Sequence, residues 1–112
     1  MNSPLPNKEV RGSNSGIAIM ALFDLLGRKW NMKIMWELRT NALSFRAIQK
    51  QCEDMSPSVL NSRLKQLSEA KLLLSTNEGY QLTPSGISLM ETLDPLRAWA
   101  KDWQQEFDDE TE

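Results

Sequence analysis

The side chains best suited to specific chemistry lie in one short stretch, SPSVLNSRLKQL (Ser56 to Leu67). Ser58, Asn61, Ser62 and Lys65 recur there at helical spacing, opposite Leu60, Leu64 and Leu67. Ser62 and Lys65 also match the Ser-x-x-Lys pattern of some penicillin-binding enzymes. The companion motifs of that pattern are missing, and four residues of common types match by chance. The 112-residue chain has no histidine and one cysteine, Cys52, which rules out Ser-His-Asp and Cys-His arrangements, an internal disulfide and a cysteine or histidine metal cluster. An enzyme is therefore not expected, nor any cofactor, catalytic residue or metal. What the stretch offers instead is recognition: hydroxyls and an amide that both donate and accept, beside one cation.

Composition matches a single globular domain, 40% hydrophobic and 25% charged. No apolar run approaches the roughly 20 residues of a membrane span, and the polar start MNSPLPNKEVRGSNSG lacks a signal-peptide core, so a cytoplasmic location is expected. The net charge of −2 conceals an uneven distribution. From Arg28 to Lys71 nine basic residues face four acids, a balance of +5, whereas Leu72 to Glu112 carries 2 basic residues and 9 acids, a balance of −7. A basic middle and an acidic end point to a polyanionic partner for the middle alone.

Residues 1–16, with two prolines, two glycines, three serines and three asparagines, read as a flexible arm. A domain over 17–107 follows, and 108–112 is an acidic tail expected to fray. IAIMALFDLLG (Ile17 to Gly27) predicts a helix that is apolar nearly all round and needs cover on more than one side. KWNMKIMWELRTN (Lys29 to Asn41) predicts a second, with Trp30, Ile34 and Leu38 on one face. Ser44 caps a short third helix that carries Phe45 and Ile48 inward and ends near Cys52, itself expected to be a small, partly buried residue. Glu53 to Met55 then leads into the next helix, capped by Ser56 with Pro57 at its first position, the outline of a helix-turn-helix. Leu72 to Thr76 and Tyr80 to Thr83 flank NEG and predict a hairpin. Thr83-Pro84 and Asp94-Pro95 each predict a capped helix, the last with Leu96, Trp99, Ala100, Trp103 and Phe107 on one stripe.

This order predicts a mainly α fold with a small β-hairpin, a winged helix-turn-helix. In that arrangement the second helix of the pair enters the major groove of DNA, where Ser58, Asn61 and Ser62 are placed to read base edges. Arg46, Lys50, Arg63 and Lys65 are placed to meet phosphates.

The residues ALFDLLGRKWNMKIMWELRTNALSFRAIQKQCEDMSPSVLNSRLKQLSEAKLL, then YQLTPSGISL and LRAWAKDW, closely resemble the HxlR-type bacterial transcriptional regulators. The match rests on Gly27, Lys29, Trp30, Glu37, Leu38, Phe45, Ile48, Met55, Ser56, Leu60, Arg63, Leu64 and Leu67, and runs from about Ala21 to Trp103. The resemblance implies a DNA-binding regulator that dimerises through its first and last helices, with Ile17, Met20, Phe23, Leu96, Trp99, Trp103 and Phe107 at the interface. A two-fold dimer reads a palindromic operator. The chain departs from the family in a short hairpin, STNEGYQ, that carries an acid, and in having no cysteine near its first helix. No motif identifies an effector ligand. The competing expectation is a winged-helix protein-protein interaction module that does not bind DNA.

Overall fold

The structure, a computed structural model, describes residues 16–110, so the arm at 1–16 lies outside the described residues except for Gly16. The chain folds as α1 (Ile17–Leu26), α2 (Asn31–Glu37), α3 (Phe45–Gln51), α4 (Pro57–Glu69), β1 (Leu73–Thr76), β2 (Gly79–Leu82) and α5 (Pro84–Glu110). It is the winged helix-turn-helix that the element order predicts, mostly helical with one antiparallel hairpin.

Three of the four predicted caps form. Ser44 Oγ accepts the Ala47 N–H at 3.1 Å, and Ser56 Oγ accepts the Val59 N–H at 3.3 Å with Pro57 opening α4. Thr83 Oγ accepts the Gly86 N–H at 3.1 Å and donates to the Lys71 carbonyl at 2.6 Å, fastening the start of α5 to the end of α4. The inward faces then meet in one core, where Ile34, Met35, Ile48, Cys52, Leu60 and Leu67 are fully buried. Cys52 is thus packed away, and burial pushes its thiol upward against the weaker opposing pull of Lys33.

Three elements differ from expectation. Trp30 sits at φ 79, the left-handed region, so α2 begins at Asn31 instead of Lys29, and it stops at Glu37, short of Asn41. The hairpin turn is two residues, Asn77 and Glu78, because Gly79 already pairs with Thr76. Gly79 has φ 117, and a β-carbon there would lie 2.5 Å from the Leu43 carbonyl oxygen, since Leu43 bridges to Tyr80 as a minimal third strand. Finally, Asp94-Pro95 starts no new helix. α5 is continuous through Pro95 and runs past Phe107 into the acidic tail as far as Glu110. Pro95 removes the donor for the Glu91 carbonyl, but both residues lie on the exposed surface where solvent is at hand.

Candidate nucleic-acid interface

The turn between α3 and α4 is built from backbone geometry that no glycine eases. Glu53 and Asp54 both take left-handed conformations, φ 58 and 55, and the Asp54 N–H reaches back to the Gln49 carbonyl at 2.9 Å. Gln49 completes the corner by donating its Nε2 to the Met55 carbonyl at 2.8 Å. That long side chain fixes the angle between the two helices. Sequence reasoning missed it, because a glutamine at that position gives no local sign of its partner six residues on.

α4 presents two faces. Leu60, Leu64 and Leu67 are buried, while Ser58, Asn61, Ser62 and Lys65 are all exposed along two turns of the opposite side. None of these four side chains forms a hydrogen bond or ion pair within the described residues. The structure therefore brings the expected base-reading residues onto one free stripe. Arg46 and Lys50 are exposed one turn apart on α3, the other helix of the pair.

Three of the basic residues in this region are engaged within the chain. Lys33 binds Glu37 at 2.9 Å, and that bond raises its pKa. Arg39 donates to the Trp36 carbonyl at 2.8 Å and stacks 3.6 Å from the Trp36 ring. Arg63 is half-buried, and its Nε donates to the Lys29 carbonyl at 2.8 Å. Arg46, Lys50, Lys65 and Lys71 are exposed cations whose side chains have no partner among the described residues. At the hairpin tip the exposed residues are Asn77 and Glu78. The Glu78 N–H donates to Thr76 Oγ at 3.1 Å, so the wing is a tight polar turn with a carboxylate at its end.

A second set of exposed side chains is apolar. Phe23 is 61% exposed, and Leu96, Trp99, Trp103 and Phe107 are each at least half exposed, with Met20 and the unforeseen Ile19 and Ile87 adding to them. The side chain of Ile17 lies outside the described residues. Trp99 stacks on Trp103 with centroids 5.7 Å apart, and Trp103 meets Phe107 edge-on at 5.6 Å. A groove of about 480 Å³ between α2 and α5, lined by Met32, Trp36, Met90, Leu93, Leu96 and Ala100 among others, carries this apolar face onto the body of the domain. Among the described residues no group of side chains could hold a metal ion, and no helix is long and apolar enough to cross a membrane.

Comparison with known proteins agrees with this geometry. The family model for HxlR-like helix-turn-helix proteins matches residues 25–108. An uncharacterised HTH-type transcriptional regulator of Methanocaldococcus jannaschii is 28% identical over 91 residues, covering 77% of this chain and 85% of that protein. The crystal structure of quinone-bound YodB from B. subtilis superposes with a TM-score of 0.70 at 28% identity, over 75% of this chain and 96% of that one. A possible HxlR family transcriptional factor from Thermoplasma volcanium superposes at 0.64 with 25% identity, over 75% and 82% of the two chains.

Proposed function

Because the chain belongs to the HxlR-like helix-turn-helix family and is a transcriptional regulator of that winged-helix type, we propose that it acts as a dimer that recognises a palindromic DNA operator. The observation that carries this reading is the free stripe of Ser58, Asn61, Ser62 and Lys65 on a capped helix, with Arg46 and Lys50 exposed on the preceding helix of the pair. With α4 in the major groove, Asn61 is suited to a bidentate contact with adenine, and the two serines accept or donate as the base requires. Arg46, Lys50 and Lys65 supply phosphate contacts that set register and affinity. The exposed apolar faces of α1 and α5, with Met20, Phe23, Leu96, Trp99, Trp103 and Phe107, pair with a second copy.

In vitro selection from a randomised duplex library at near-physiological salt tests the proposal. Enrichment of a palindrome with half-sites about one helical turn, or a multiple of it, apart is the expected outcome. No enrichment, with only weak binding that disappears as salt rises, would overturn it. That second outcome would favour a protein-interaction module, a reading supported by the carboxylate of Glu78 at the wing tip, where a minor-groove contact calls for a cation.

A further inference from the structure

Among the basic residues of the helix pair, Arg63 alone turns inward. Its neighbours Asn61, Ser62 and Lys65 are exposed, but Arg63 is half-buried and its Nε donates to the Lys29 carbonyl at 2.8 Å, across 34 positions of sequence. That carbonyl belongs to the corner between α1 and α2, which is fixed from within. Trp30 is locked at φ 79, and the fully buried Asn31 donates its Nδ2 to the Leu25 carbonyl at 2.8 Å, closing the end of α1. The Gly27 N–H donates to Phe23 at 2.9 Å and the Asn31 N–H to Arg28 at 3.2 Å. The helix that enters this corner is α1, whose Phe23 is exposed.

We propose that Arg63 is a positioning residue: it ties the reading helix to the α1–α2 corner and sets the angle at which Ser58, Asn61 and Ser62 are presented, without itself contacting phosphate. The inference deepens the DNA-reading proposal above and rests on it. A guanidinium is planar, so a bond through Nε fixes direction as well as distance, which the ammonium of a lysine does not do. The leverage is large. A tilt of about 10° at Arg63 displaces Ser58, about 7.5 Å away along the axis, by about 1.3 Å. That exceeds the few tenths of an ångström a base-edge hydrogen bond tolerates. Since α1 also carries part of the proposed subunit contact, Arg63 links the subunit interface of each protomer to its reading helix.

The test uses the full chain with Arg63→Ala and Arg63→Lys, and Lys65→Ala as the phosphate-contact control. Residual dipolar couplings of the α1 and α4 amides report the angle between those helices without DNA. In both Arg63 variants this angle should change or become averaged, and in Lys65→Ala it should not. Binding is then measured, as a function of salt, to the selected duplex and to a random-sequence duplex of equal length. Arg63→Ala should lose about tenfold or more on the selected duplex, keep its affinity for the random one, and keep the wild-type salt dependence. Arg63→Lys should not restore selectivity. Lys65→Ala should weaken both duplexes and lower the salt slope by about 0.9. A lowered slope in Arg63→Ala with rescue by lysine would make Arg63 a phosphate contact and overturn the proposal. So would unchanged couplings, or a lower Tm with an unchanged ratio of selected to random binding. Should the wild type prefer no duplex at all, the DNA reading fails, while the couplings still decide whether Arg63 holds α4 in place.

Discussion

Along α4 the inward apolar side chains, Leu60, Leu64 and Leu67, are no more than 3% exposed, whereas along the second half of α5 Leu96, Trp99, Trp103 and Phe107 are 50–60% exposed. Both are amphipathic helices with apolar residues at helical spacing. The difference is whether one chain supplies the surface that covers them. α4 buries its leucines in the core it shares with residues of α2, α3 and the hairpin, and its exposed side carries Ser58, Asn61, Ser62, Lys65 and, at its end, Glu69. The far half of α5 leaves the body, and with Phe23 it exposes apolar area on the order of 500 Å², near the upper end of what a soluble monomer tolerates. α4 therefore completes its apolar packing within the chain, while α5 keeps an uncovered apolar stripe, the one that the proposed second copy would cover.

Substitution separates the two cases most sharply at their apolar residues. Leu60→Ala should cost about 2–5 kcal/mol in folding free energy, measured by urea denaturation, because the fully buried site leaves a cavity. A cost under about 1 kcal/mol would show that α4 is not anchored as its burial indicates. Trp103→Ala should behave the other way: little change in the unfolding of the monomer, but a dimer weakened by about 2–4 kcal/mol, or tens to hundreds of fold, in sedimentation equilibrium. If Trp103→Ala leaves the association constant unchanged, the α5 stripe is not the subunit contact.

Between these elements also runs the line dividing what the sequence discloses from what it withholds. Ser44, Ser56, Pro57 and Thr83 are legible because a cap is a local bond whose two ends lie three residues apart. The buried and exposed faces of α4 are legible because period alone separates Leu60, Leu64 and Leu67 from Ser58, Asn61, Ser62 and Lys65. Pro95 misleads because Asp-Pro has the same local chemistry at a helix start as in a solvent-exposed helix interior. Trp30 at φ 79 runs against the preference of a bulky residue, and the surrounding corner, not the tryptophan, dictates it. Arg63 looks like any other surface cation until Lys29, distant in sequence, is seen beside it.

The polar face of α4 carries the next prediction. Asn61→Ala should cost about 1–3 kcal/mol on the selected duplex, concentrated at one base pair of each half-site, with no loss on a random duplex. Its exposure predicts an unchanged Tm. Equal losses on both duplexes would place Asn61 on the phosphates and move the reading register along the helix.

The smallest expected effect lies where α4 ends. Lys71 has φ 63 and closes a full Schellman motif: its own N–H donates to Ser68 at 2.9 Å, and the Leu72 N–H donates to Leu67 at 3.0 Å. The bonds are good and the residue is wrong for them, because a β-carbon in the left-handed region crowds the following carbonyl. Lys71→Gly removes that strain but also loosens the unfolded chain, so the net gain should be about 0.5–1 kcal/mol, seen as a rise of a few degrees in Tm. Lys71 is also exposed at the far end of the helix from Ser58, beyond the stripe that would meet bases. The same variant should therefore keep its selectivity between duplexes while folding more tightly. A loss of selectivity would mean that the end of α4, like Arg63, helps set the angle of the whole helix.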